Sequence, residues 1–166
     1  MSVVVDTNVP VVANGRSRQA SGTCVRACIQ RLRSITEDIE PLVLDAGWRI
    51  LREYRKGLRS EGQPGVGDEF LKWVLTNHAN PRRCDLVLIT HIGPGDSDFA
   101  EFPTDPDLAG FDPSDRKFVA VALAHPQRPP VLNAVDRDWW DYREALERNG
   151  VTVDFLCPLE VPGNRQ

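Results

Sequence analysis

Apolar residues along this chain follow two alternating periodicities. Short continuous runs occur in "SVVVD" (2–6), "PLVLD" (41–45), "CDLVLIT" (84–90), "PPVLNAV" (129–135) and "VTVDFLCP" (151–158). Each is too short for a helix and is expected to form a buried strand. Between them the apolar spacing lengthens to three and four. "TNVPVVANG" predicts a short helix, with Pro10 near its first turn and Asn14-Gly15 as its stop. In "SGTCVRACIQRLRSI" the residues Cys24, Cys28, Leu32 and Ile35 fall on one face. Trp48, Leu51, Tyr54 and Leu58 do so in "AGWRILREYRKGLRS", and Phe70, Trp73, Val74 and His78 in "GDEFLKWVLTNHA". Two further helices are expected over 113–124 and over "DWWDYREALERNG". The alternation predicts an α/β fold with a central, mainly parallel sheet of four to five strands flanked by helices. "GQPG" interrupts the chain, and 91–111 is expected to be a long irregular loop carrying five acids. The pattern gives one domain over 1–159 and a loose tail over 160–166.

The polar residues that end these elements are often acids. Asp6 follows the first strand and Asp136 the fourth. Open α/β sheets build their sites beyond the carboxyl ends of strands, where both would lie. Glu53 sits near the edge of the apolar face of its helix. In "FDPSDRKFVAVALAH", Asp112 is placed as N-cap, Pro113 as the first helical residue and Asp115 where an acid reaches back to the cap amide. Asp138 and Asp141 repeat that capping pattern around "DWWD". Taken singly, each acid has an ordinary structural role as strand stop, surface partner or cap. Only convergence would make them a site.

Composition sharpens this picture at three points. The net charge is −4, yet residues 1–59 carry ten Lys/Arg against six Asp/Glu, and the remainder carries ten against eighteen. That division suits a phosphate-contacting surface beside a cation-holding pocket. On the helix of Glu53, Arg52, Lys56 and Arg59 share one face suited to gripping phosphates; Arg116 and Lys117 are further candidates. Trp139 and Trp140 offer stacking surface, with at least one expected in the core. The four cysteines have no second Cys/His pair at zinc spacing, so they are expected as buried or surface thiols, and the three histidines are scattered. There is no apolar run of about 18 residues and no signal-like start. A cytoplasmic location without membrane association is the expectation.

In order along the chain, "VVVDTNV", "WRILREYRKGL", "DPSDRKFVAVALAH" and "VLNAVDRDWW" resemble the motifs of the PIN-domain nuclease family, over roughly residues 3–156. The resemblance implies a PIN-like fold and an acidic cluster binding Mg²⁺ or Mn²⁺. By motif, the cluster is Asp6, Glu53, Asp115 and Asp136, serving as metal ligands and catalytic acids. Thr7, Asn8 and Asp138 resemble supporting residues. Where the family often carries Thr or Ser, this chain has Ala134, with Asn133 as a substitute. The implied activity is an endoribonuclease leaving a 5′-phosphate and a 3′-hydroxyl, as in VapC-like toxins paired with an antitoxin. A homodimer is the family expectation. The alternatives are a DNA-cutting nuclease subunit beside an ATPase in phage defence, and a catalytically weakened nucleic-acid-binding module. A phosphatase is disfavoured because "DTN" after the first strand offers one acid there rather than a DxD nucleophile pattern.

Overall fold

The computed structural model describes residues 1–38 and 40–161. Five short strands form, each inside one of the apolar runs: β1 (Val4–Val5), β2 (Leu42–Asp45), β3 (Cys84–Val87), β4 (Val131–Asn133) and β5 (Val153–Phe155). All named strand pairs are parallel, in the orders β1-β4-β5 and β2-β3. The expectation of one sheet of four to five strands is therefore met only in coarser form: a mixed α/β chain with small parallel sheets of three and two strands. A parallel bridge between Val3 and Leu42 links the two, with Val3 N donating to Pro41 O at 3.0 Å and Val43 N donating to Val3 O at 2.8 Å. The reason is local. The chain turns at Asp6 into a helix, so β1 is only two residues long.

The helices are α1 (Asn8–Ala13), α2 (Gly22–Glu37), α3 (Arg49–Gly57), α4 (Val66–Asn77), α5 (Arg116–Ala124), α6 (Arg137–Asp141) and α7 (Arg143–Arg148). α2 buries Cys24, Cys28, Leu32 and Ile35, as its spacing requires. α3 is shorter than its pattern. Its start is fixed by the buried Asp45, whose carboxylate accepts from Arg49 N at 2.9 Å and Ile50 N at 2.8 Å. Trp48 stands just outside at φ 62°, edge-on to His78, and is only partly buried. α3 stops at Gly57, so Arg59 does not share a helical face with Arg52 and Lys56. The segment expected as one helix after Asp136 splits at Tyr142 into α6 and α7.

One hydrophobic cluster runs through both sheets and their helices. Trp139 is fully buried, edge-on to Phe111 at 5.1 Å, which removes it as a stacking surface. Trp140 is partly buried between Phe155 and the Arg143 guanidinium, 4.4 Å from its ring. The 91–111 loop is irregular apart from one 3₁₀ turn (Pro106–Leu108) and a bridge between His91 and Phe99. Its acids anchor it: Asp96 to Arg49, Asp98 to Arg116, Glu101 to Thr90 N, and Asp105 and Asp107 to Arg148 at 2.7 and 2.8 Å.

The cysteines overturn the all-thiol expectation. Cys24 and Cys157 form a disulfide across 133 residues of sequence, while Cys28 and Cys84 remain free and buried. Burial pushes the free thiols up, Cys28 to about 12 and Cys84 to about 11. A pairing across such a separation leaves no local trace in sequence. Because the bond closes a long loop, Cys157→Ser should lower the stability of the oxidised protein by about 2–4 kcal/mol, read as a shift in urea midpoint that reductant removes. The start of the supposed tail is also held, since Glu160 accepts from Ser21 N at 2.9 Å. Residues 162–166 of that tail lie outside the described residues. Among the described residues, no helix is long and apolar enough to cross a membrane.

Candidate metal centre

Four acids are fully or almost fully buried: Asp6, Asp45, Asp68 and Asp115. A buried carboxylate must be satisfied or neutralised, so the partners of each decide its role. Asp45 caps α3 with both oxygens. Asp68 accepts from Asn14 Nδ2 at 3.0 Å, Arg59 N at 2.8 Å and Gly65 N at 3.0 Å, and pairs with Arg16 at 3.3 Å. Both are structural. Asp6 is different: Oδ1 accepts from Asn8 N at 2.9 Å, but Oδ2 is buried with no partner. The Trp139 indole N–H leans towards Asp6 without reaching hydrogen-bond geometry.

Asp115 answers the capping question. Asp112 is the cap of the 3₁₀ turn Pro113–Asp115, accepting from Ser114 N at 2.8 Å. Asp115 does not reach back to it. It stands at the junction with α5 and makes no capping bond to that helix. Its carboxylate instead meets those of Asp6 and Asp136, with one oxygen from each lying within 4.8 Å of the others. Asp136, not Asp138, caps α6, accepting from Asp138 N at 2.9 Å. Asp138 accepts from Asp112 N at 2.7 Å, tying the two helix starts together, and Asp141 pairs with Arg137.

Amides set the positions of these acids. Asn8 Oδ1 accepts from Ala134 N at 2.7 Å, which clamps the turn after β1 to the end of β4. Asn133 Oδ1 accepts from Asp136 N at 3.2 Å, so Asn133 holds the Asp136 turn. Ala134 is fully buried and supplies no hydroxyl. Glu53 stands beside the triad but outside the group of converging oxygens. Thr7 Oγ1 donates to Glu53 Oε1 at 2.8 Å, and Lys117 Nζ pairs with Oε2. Thr7 therefore positions Glu53 rather than Asp6.

The electrostatics follow from this crowding. Burial, then the nearby charges of Asp136 and Glu53, push Asp6 up to about 7, against the pull of the Asn8 amide. Burial, then Asp6, Asp136, Asp112 and Glu53, push Asp115 up to about 9. Asp136 and Asp138 are raised as well, chiefly by burial. A carboxylate pair at ~4 Å costs roughly 4 kcal/mol at an effective dielectric near 20. The cluster thus holds protons or a cation. An all-oxygen donor set of acids suits a hard divalent ion, and the unpartnered Asp6 Oδ2 is a ready ligand atom.

Beside the triad lies a groove of about 420 Å³ lined by Arg49, Arg52, Lys56 and Lys117, with Glu53, Asp96, Ser97 and Ser114. Arg49, not singled out in sequence, belongs to it, whereas Arg59 and Arg116 do not line it. Arg116 is held by Asp98, by Ala109 O at 3.0 Å and over the Phe102 ring, so it clamps the 91–111 loop. Comparison with protein-family models, with curated proteins and with solved structures found no match.

Proposed function

We propose that the protein is a Mg²⁺- or Mn²⁺-dependent phosphodiesterase of the PIN type, acting on RNA as an endonuclease. The observation that carries this reading is the convergence of Asp6, Asp115 and Asp136 from three separated parts of the chain, with a buried oxygen left unpartnered. The basic groove at its side adds a phosphate-binding surface. The order of the motifs supports a PIN-like arrangement.

Asp6, Asp115 and Asp136 would hold the cation, which when bound supplies neutralising charge for the phosphate and a more acidic water. Glu53, steadied by Thr7 and Lys117, orients the attacking water or takes its proton. Arg49, Arg52 and Lys56 bind phosphates flanking the scissile one. The same reading carries a cytoplasmic location, an antitoxin or ATPase partner, and a homodimer as its expected setting.

The test is cleavage of end-labelled RNA, tRNA and single-stranded DNA with Mg²⁺, Mn²⁺ or EDTA. RNA cut only with metal supports the proposal. DNA cut in its place selects the phage-defence alternative. No cutting and no Mn²⁺ binding by calorimetry overturns the enzyme reading in favour of a binding module. For the groove, Arg52→Ala with Lys56→Ala should weaken single-strand binding and flatten the log affinity–log salt slope by about 0.7 for each phosphate no longer gripped. Fluorescence anisotropy across a salt series checks this.

A further inference from the structure

A second convergence of ligand atoms has no part in the acidic centre. Cys24 and Cys28 lie one turn apart on the buried face of α2, and Cys157 follows β5. Their three sulfurs all lie within 4.8 Å of one another, and the residues are 2, 0 and 5 % exposed. The disulfide uses only two of them. A single buried cysteine is an ordinary small core residue. Three brought together, two of them from one helix and one from 129 residues beyond Cys28 in the chain (positions 28 and 157), form a ligand set. An acid stands nearby, outside the group of three sulfurs: Glu160, in the turn Pro158–Glu160, accepts from both the backbone and the hydroxyl of Ser21, which caps α2 one turn before Cys24, and its charge reaches Cys28.

We propose that, when the Cys24–Cys157 bond is reduced, Cys24, Cys28 and Cys157 bind one Zn²⁺, with Glu160, turned from Ser21 towards the sulfurs, as fourth ligand. Sulfur donors select this borderline-soft ion over the hard ions suited to the carboxylate triad, so the two centres choose different metals by donor type. The chemistry balances in two steps. A dithiol reductant transfers two electrons and two protons to the disulfide and is itself oxidised to a disulfide. Zn²⁺ then displaces the protons of three thiols to solvent as three Zn–S bonds form. The segment after β5 stays fastened to α2 in either redox state, first by the S–S bond and then by the ion.

The full-length chain, reduced and metal-free, would be titrated with Co²⁺ as a spectroscopic probe. The expected result is an intense near-ultraviolet thiolate-to-cobalt charge-transfer band saturating at one equivalent, bleached by Zn²⁺. Carboxylate-bound cobalt gives no such band, so the acidic triad does not interfere. Cys28→Ala should lower the band by about a third or more, the share of one thiolate in three, while leaving the disulfide able to form on oxidation, which shows that the variant is folded. Cys84→Ala should leave the band intact, and Glu160→Gln should weaken binding while retaining the band. Absence of the band in the reduced wild type overturns the proposal, as does a band of full intensity in Cys28→Ala.

Discussion

Asp115→Asn is expected to lower the proposed metal-dependent cleavage by roughly 10³-fold, equivalent to the several kcal/mol a bound cation contributes to a phosphoryl transition state. Asp6→Asn should match it. The distinguishing result concerns stability. Asp115 is pushed up to about 9, so the metal-free protein carries it as the neutral acid at pH 7.5. Asn has nearly the shape of that acid and no charge to desolvate. The melting temperature in EDTA should therefore hold or rise in Asp115→Asn. Mn²⁺ at 100 times its Kd should stabilise the wild type by about 2.7 kcal/mol and the variant not at all. Thermal melts with and without Mn²⁺ test both halves together. A variant that melts far lower in EDTA would show that the carboxylate is structural.

The second large effect is on pH. Asp6 and Asp115 titrate at about 7 and about 9 in the folded chain, well above the unfolded value near 4. Over the interval between, the native state holds protons that the unfolded state has released. Their contribution to stability is complete below about pH 4 and is lost as pH rises through 7 and then 9. In EDTA the melting temperature should fall by about 5 °C or more between pH 5 and pH 9. Protons and metal compete for the same oxygens, so Mn²⁺ affinity should rise over that range. Asp115→Asn should flatten the EDTA slope. A melting temperature rising from pH 5 to pH 9 in EDTA would contradict the crowded-acid account.

The sequence exposes what is local and hides what is paired. Every strand lies inside a predicted apolar run, because a run of buried residues needs no tertiary information to be recognised. Asp6 and Asp136 are legible as acids at strand ends. The role of Asp115 is not decidable from its spacing, since a cap and a ligand leave the same pattern; what separates them is that Asp112 N donates to Asp138 rather than to Asp115, whose carboxylate meets Asp6 and Asp136. Asp45 and Asp68 are buried acids with no part in the centre, and their amide partners, not their neighbours in sequence, reveal that. Periodicity misplaces Arg59 because the apolar spacing continues through Leu58 although the helix ends at Gly57. The Cys24–Cys157 bond and the split of the sheet both depend on contacts between distant segments.

That split has a dynamic consequence. Asp6 and Asp136 belong to the ends of β1 and β4, which are laced by parallel pairing and by the Asn8–Ala134 hydrogen bond. Glu53 belongs to α3, which is seated by Asp45 on the other sheet. The two sheets are joined by the Val3 bridge, by Tyr54 Oη donating to Val5 O at 2.5 Å and by the Thr7–Glu53 hydrogen bond, and amide exchange should report whether these links open before the sheets themselves. A fluctuation that broke these links would leave the Asp6 and Asp136 carboxylates in register while carrying Glu53 away. On the proposed function, the centre would then keep a cation through an excursion during which it has no water-activating acid, so occupancy and turnover would not rise and fall together.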